Sequence, residues 1–559
     1  MTSLLLTWRL SWIERTVRQG ISAVRQDHHT KRPRLGEVYE RYQLKLKQSG
    51  VMDFDDILLN MNFLLRDHPE ALEAIAGRFS HILVDEYQDT NQAQYLILKK
   101  LAQFRRNICV VGDDSQSIYA FRGARIENIL NFKKDYPECK LFRLERNYRS
   151  TQVIVDAANS LIAHNEGRIP KECYAVGEDG EPIKILKAYT EQEEAVLIVS
   201  ELMDRMRSAR AQYQDFAILY RTNAQSRALE EQLRRRNIPY IIYSGNSFFE
   251  RAEVKDMMAY FKLAVNTRDD ESFRRVVNKP ARGIGGKAME AVEAVARQHG
   301  LPLFEAAREV PKVQAFCTMI SGLSALVPVT DAWELAKKIA DESGLYAFYK
   351  LDTSIEGLSR TANLEELINS VAQYVEERRE EEEDYVAEGG RPGLYTLDDY
   401  LENVSLLSNV DVADDEDTNN KVALMTVHAS KGLEFPYVFV AGMEENLFPS
   451  ASMLSARPEI EEERRLFYVA MTRAKKAVRL SFAGTRMRNG KHESNAPSRF
   501  LKEIDPQYIE NPLEDADFDS SGVTHEWGGF GSRFTGGRLN RFGVGNGSYG
   551  QSSRPTRQG

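Results

Sequence analysis

The stretch His81–Thr90, HILVDEYQDT, holds the residues best placed to do chemistry. Ile82, Leu83 and Val84 form a short apolar run of the kind found in a strand buried on both faces of a parallel sheet. Asp85 and Glu86 follow at once, which places two carboxylates at the carboxyl edge of such a sheet, where open α/β sheets bind ligands. One carboxylate there can hold a magnesium ion through its water shell. Its neighbour can orient or deprotonate an attacking water, the division of labour that phosphoryl transfer needs. A strand followed by an acidic turn that caps a helix accounts for the same residues equally well.

Four further stretches set polar and aromatic groups beside glycines or strand ends. In Gly112–Ala124, Gln116 is in reach of a phosphate or water at the sheet edge. Tyr119, Phe121 and Arg122 offer two rings and a cation to single-stranded bases and their backbone. In Glu145–Ser150, Arg149 follows Tyr148, a guanidinium for phosphate next to a flat ring for a base. In Thr426–Phe435 (TVHASKGLEF), His428, Lys431 and Glu434 sit past a strand end, and in Glu461–Lys476 Arg473 is expected on a helix. Each alone has an ordinary alternative: a surface arginine, a core tyrosine, a solvated helix face.

The elements that position these groups alternate between strand and helix. Asp53–Asp67 shows apolar residues at helical spacing with acids in its first turn. A helix over Ala93–Phe104, a buried strand at Ile108–Val111 and a third strand at Leu141–Leu144 complete a doubly wound parallel pattern. The alternation resumes after Pro182 with a helix around Glu191–Arg207, the strand Phe216–Tyr220 and a basic helix holding Arg234–Arg236. From Phe249 to about Ser408 the pattern is helical throughout. Strands at Val422–Val427, Tyr437–Ala441 and Val478–Phe482 then complete a second sheet. The fold class is therefore α/β, with a helical domain inserted in the second α/β domain.

At 559 residues the chain exceeds one core, and about 150 residues per domain implies three or four domains. No apolar run approaches the ~20 residues of a membrane helix, and arginines follow Leu4–Leu6 too soon for a signal peptide. Cys109, Cys139, Cys173 and Cys317 lie far apart without a CxxC pair, which argues against zinc or a disulfide framework and fits a cytoplasmic protein. The net charge of −9 conceals a basic residue 1–50 stretch (ten Lys/Arg against four acids) and an acidic 376–417 stretch (sixteen acids against three basic residues). Nucleic-acid binding needs only local basic surface, so the total excludes nothing. After about Asp505 the chain turns polar, then Gly-, Arg- and aromatic-rich, a composition expected to be disordered. Arginines among Phe534, Phe542 and Tyr549 suit weak contacts to phosphates and bases, and a plain flexible tail fits equally.

Taken in order, DEYQDT, VGDDSQSIYAFRGA, LERNYRS, LYRTNAQSR, FFERAEVKD, TVHASKGLEF and RLFYVAMTRAKK closely resemble the motifs of the UvrD/PcrA/Rep family of superfamily 1 DNA helicases, over roughly residues 35–505. The resemblance implies two RecA-like domains, the first truncated, with ATP and Mg2+ in the cleft between them and single-stranded DNA across both. It implies boundaries at 1–49 (remnant of a first helical insertion), 50–145 (first RecA-like domain), 146–249 with 413–505 (second), 250–412 (inserted helical domain) and 506–559 (tail). By that carry-over Asp85 coordinates magnesium, Glu86 activates water and Gln116 couples phosphate to DNA. Tyr148 stacks on adenine, Arg149 and Arg473 stabilise charge on the transferring phosphoryl group, and Gly432 and Glu434 lie on the nucleotide's sugar side. Tyr119, Phe121, Arg122, Asn223, Thr426 and His428 match positions that hold DNA, with Phe121 where relatives often have Trp. The KPARGIGG turn (Lys279–Gly286) looks like a backbone-amide clamp for duplex phosphates, and the implied partners are single strands and single-strand/duplex junctions, with repair or transcription proteins on the tail.

One motif departs from the pattern. The family's GxxxxGK[ST] loop should precede DEYQDT by nearly two hundred residues, yet only 84 residues precede Asp85, and no such loop occurs in the sequence. The first strand, the loop and most of the first insertion are read as missing, and without that amide cradle Asp85 and Arg473 have little to act on. The sequence thus reads as an incomplete copy of an ATP-driven 3′–5′ helicase acting in repair or replication. The competing reading is a non-catalytic single-strand-binding module, or half of a split helicase. A helicase–nuclease is weaker, because the chain ends in a tail soon after Arg473.

Overall fold

The computed structural model describes residues 35–243, 245–382, 393–408, 420–454, 456–488 and 490–514. The basic stretch up to residue 34, the acidic linker Asp411–Asp417 and the Gly/Arg-rich tail from residue 515 lie outside the described residues.

The dominant element is an all-parallel sheet in the order β5-β10-β9-β6-β8-β7. Its strands are β5 (Lys184–Ala188), β6 (Phe216–Tyr220), β7 (Tyr240–Ile242), β8 (Val422–Thr426), β9 (Phe435–Val440) and β10 (Ala474–Ala483). FAILY, VALMT and FPYVFV are nearly unbroken apolar runs because both faces of a parallel sheet are covered. Ala217, Leu219 and Val438 pack with the helices Gln152–Ile162 and Arg457–Met471. Phe216, Ile218 and Phe439 pack with Glu191–Ala209 and Ser226–Arg235 on the other side. The three strands expected after residue 422 are present, with β10 longer than the pattern indicated. Strands β5 and β7 and the hairpin of β11 (Thr485–Arg488) with β12 (Lys491–Ser494) were not legible; three of these four are edge or hairpin strands of three or four residues.

Between β7 and β8 the chain builds a helical layer from Ala252 to Ser408 with its own apolar core, and the described residues there contain no strand. Buried arginines tie this layer to the sheet. Arg227 donates to Glu366 at 2.6 Å and Gln373 at 2.8 Å, and Arg251 donates to Asn363 Oδ1 and the Asn223 carbonyl, both at 2.9 Å.

The first α/β part departs from expectation. β1 (Ile82–Val84) pairs in parallel with β2 (Ile108–Val110) alone. Helices Phe54–Asp67, capped by Asp53 with Asp56, and Gln92–Ala102, capped by Asn91 with Gln94, support it through a small core around Leu65 and Leu101. Leu83 points away from that core and is 79% exposed, so β1 is covered on one face rather than two. The expected strand Leu141–Leu144 does not form. Leu141, Phe142 and Leu144 are exposed, and the short β3 (Arg146–Asn147) pairs instead with β4 (Tyr174–Ala175). A strand needs a neighbour for its backbone groups, and among the described residues β1 and β2 pair only with each other.

Because Leu83 contributes nothing to this core, Leu83→Lys is expected to leave unfolding within about 0.5 kcal/mol of the parent. It is also expected to reduce self-association through the open ribbon edge. Denaturant titration and light scattering check the two outcomes.

Candidate functional site

The acid side of the site begins where β1 ends. Glu86 adopts a left-handed backbone (φ 49, ψ 40), an uncommon conformation for a non-glycine residue. The turn is held from below by Gln88, fully buried, whose amide donates to Glu86 Oε2 at 2.6 Å and whose Oε1 accepts from Asp113 N at 3.0 Å. Gly112 is required beside it, because a Cβ there would lie 2.5 Å from Gln88 Oε1. Tyr87 anchors the loop with its ring edge-on to Phe132. Asp85 is exposed and accepts from its neighbour's amide, Glu86 N, at 2.8 Å. Among the described residues no three His, Cys, Asp or Glu groups converge to cage a metal. A lone carboxylate of this kind suits magnesium, which keeps most of its waters. Gln116 is turned to Asp113 Oδ2 at 2.9 Å.

The guanidinium side comes from the turn after β3 and from the segments that lead into β9 and β10. Arg149 donates to Glu434 Oε2 at 2.5 Å and to the Thr472 carbonyl at 3.3 Å. Lys475 lies 2.8 Å from the other Glu434 oxygen; together Lys475 and then Arg149 hold that carboxyl below the usual carboxylate range. Tyr148, 76% exposed, presents an open ring beside them. Gly432 has φ +86, a left-handed turn that brings the Leu433 carbonyl to Arg473 Nη1 at 3.2 Å. Arg473 itself is not on a helix: Arg457–Met471 ends two residues earlier, and Arg473 occupies the turn into β10. The helical pattern of the sequence runs on past Met471, but the following strand takes the backbone. Arg473 is buried and donates to the Val469 and Leu433 carbonyls and the Thr472 hydroxyl, and no described carboxylate pairs with it. Burial and the nearby Arg149 pull its pKa down to about 10, while Tyr468, Glu434 and Glu86 act in the opposite sense. Glu86 is within electrostatic reach of Arg473, which has no carboxylate partner among the described residues, and the space they border is the candidate slot.

A third group gathers rings. Phe121 meets His428 edge-on at 5.2 Å, Tyr119 lies 6.0 Å from Phe121, and the Arg122 guanidinium sits 5.7 and 5.5 Å from the Tyr119 and Phe121 centroids. Thr426 and Asn223 stand at the carboxyl ends of the paired strands β8 and β6, and no described contact joins them to the rings. There the Thr426 hydroxyl accepts from Ala429 N at 3.3 Å, while the Asn223 carbonyl accepts from Arg251. Apart from these rings, the KPARGIGG turn is prebuilt: Asn278 Oδ1 accepts from the amides of Arg282 and Ile284, and Tyr260 donates to the Lys279 carbonyl.

Two lysines stitch the halves together: sequence reasoning missed Lys171 and singled out Lys431 without the direction of its reach. Lys171 pairs with Asp113 and Asp114, and Lys431 pairs with Asp89 while its ammonium lies 3.2 Å from Glu86. Lysine at a strand end is visible in the sequence, but nothing there gives the direction in which it reaches.

The family described as the UvrD-like helicase C-terminal domain matches residues 142–326 and 328–485, and the UvrD/REP helicase N-terminal domain matches residues 10–137. The ATP-dependent DNA helicase PcrA of Staphylococcus epidermidis is 41% identical over 486 residues, which is 85% of this chain and 64% of the relative. The PcrA of Staphylococcus aureus is 40% identical over 497 residues, 87% of this chain and 66% of the relative. The chain therefore spans just under two thirds of the length of these relatives.

Burial, then Arg221 and Arg122, push the His428 pKa down to about 3. The folded chain refuses a proton that the unfolded chain accepts below its ordinary pKa, so this stability is present at neutral pH and is lost as pH falls from about 6.5 towards 3. Urea titrations at pH 7 and pH 5 are expected to show about 1–2 kcal/mol less acid loss in His428→Gln than in the parent.

Proposed function

The chain belongs to the UvrD/REP family of helicases, and from that premise we propose that it acts as an ATP-dependent 3′–5′ DNA translocase and helicase in repair or replication. The observation that carries the reading is Arg473, buried without a carboxylate and sharing its slot with Glu86. ATP with Mg2+ supplies the phosphoryl group whose release drives movement. Asp85 would hold the ion's water shell, and Glu86 would take the proton of the attacking water. Tyr148 stacks on the base, and Gly432 and Glu434 line the sugar side. Arg149 and Arg473 place two guanidinium groups against the phosphates. Gln116 relays phosphate occupancy to the ring cluster, where Tyr119, Phe121 and Arg122 grip bases and backbone with His428, Thr426 and Asn223. The KPARGIGG turn offers amides to duplex phosphates at a junction.

The same reading assigns 50–145 to the first RecA-like domain, 146–249 with 413–505 to the second, and 250–412 to the inserted helical domain. Residues 1–49 belong to a first helical insertion, and 506–559 form a tail that contacts repair or transcription proteins. Among the described residues no helix is long and apolar enough to cross a membrane.

A second reading has its own observation. No GxxxxGK[ST] loop occurs in the sequence, and Leu83, next to the acid loop in the chain, and Phe142 are both exposed. A chain of this kind would bind single strands without turnover, or would act with a second chain that contributes the phosphate loop.

Hydrolysis that rises with oligo(dT) and vanishes in Glu86→Gln supports the motor. Oligo(dT) binding that weakens with salt and ignores ATP, without hydrolysis, selects the second reading. On either reading Phe121→Ala is expected to cost about 1–3 kcal/mol of oligo(dT) affinity, measured by fluorescence anisotropy.

A further inference from the structure

Lys431 starts in the TVHASKGLEF stretch and ends in the opposite half of the slot. Its ammonium donates to the Gln116 carbonyl at 2.8 Å, pairs with Asp89, and lies 3.2 Å from Glu86 Oε2. It also sits 5.3 Å from the centroid of the Tyr119 ring. The Lys431 side chain is 8% exposed and that of Glu86 is 59% exposed, so the ammonium is held inside while the carboxylate it faces stays open to water. One ammonium therefore touches both the acid loop and the first ring of the aromatic cluster. The Glu86 oxygen it faces, Oε2, also accepts from Gln88 at 2.6 Å. Gln88 donates to that oxygen while the Lys431 ammonium sits beside it as an ion pair, and both compete with a water that would hand it a proton.

We propose that Lys431 is a latch through which a single strand at the ring cluster controls Glu86. This rests on the DNA reading above. With no strand present, Lys431 holds Glu86 Oε2. A base stacked against Tyr119 and Phe121 displaces the ring under the ammonium, and the strand's phosphates compete with Glu86 for the same cation. Lys431 then leaves Glu86, whose oxygen becomes available to water. Lys431 is a positioning residue, since it acts through Glu86. Linkage makes the effect reciprocal: a contact that strand binding breaks must itself oppose strand binding by the same factor.

Zero-length carbodiimide coupling of the whole chain reads the latch directly, because it joins a carboxylate to an ammonium already in contact. Mass spectrometry of the digest is expected to find a Glu86–Lys431 amide in strand-free protein, absent from Glu86→Gln. Its yield should fall by more than about threefold at saturating oligo(dT), with saturation followed by anisotropy on the same sample. Bound oligo(dT) with an unchanged yield overturns the latch and leaves the DNA reading standing, whereas flat anisotropy overturns both. Lys431→Met is expected to bind oligo(dT) several-fold more tightly than the parent, and Lys431→Arg to restore parental affinity. A Lys431→Met chain that binds oligo(dT) more weakly makes Lys431 an ordinary phosphate contact and overturns the proposal.

Discussion

A guanidinium removed from water without a carboxylate beside it is costly, and the slot is built around one such group. Three other buried arginines of the sheet region are paired, whereas Arg251 bonds only neutral oxygens of Asn223, Ser226, Asn246 and Asn363 among the described residues. Arg486 bonds Glu194 and Glu444, Arg227 bonds Glu366 and Glu231, and Arg464 bonds Glu503. These pairs act as struts between helices and strands. Arg473 has only two carbonyls and a hydroxyl, which satisfy its N–H groups without neutralising its charge. The fold thus leaves a buried cation without a carboxylate partner beside the Arg149–Glu434 pair. A phosphate is the anion such a position suits.

In a parallel sheet the groups that precede strands and those that follow them lie at opposite edges. Glu434 precedes β9 and Arg473 precedes β10, while His428 follows β8 and Asn223 follows β6. The loop Tyr119–Arg122, from the first α/β part, meets the segment after β8 through the Tyr119 hydroxyl, which donates to the His428 carbonyl at 3.4 Å. Glu462 accepts from Ala120 N at 3.1 Å and Lys171 clamps Asp113 and Asp114, so the ring-bearing loop is fixed to the second sheet at several points. Strain at Glu86 persists because Gln88 over-determines it.

Much of this was legible in the sequence where a buried parallel sheet dictates composition. FAILY and VALMT were found almost to the residue because only strands covered on both faces are apolar without interruption. The same rule misled at Ile82–Val84 and Leu141–Leu144, since an apolar run states what a segment prefers and not whether a neighbouring strand is there to meet it. The edge strand β7 was lost because three residues carry too little period to read, and β5 (KILKA) because its lysines interrupt the apolar run. At the site, residue types were readable and directions were not. The ring cluster was foreseen, but the reach of Lys431 across the slot is a property of packing between segments more than three hundred residues apart.

The β1–β2 ribbon rests on a small core, whereas the six-stranded sheet is buried on both sides. Cooperative units with little apolar burial open at lower free energy than the rest of a molecule. On warming, the carboxylates of Asp85 and Glu86 would therefore part from Arg473 while the larger sheet stays intact. Heat would disable the slot before a calorimeter registered the main transition.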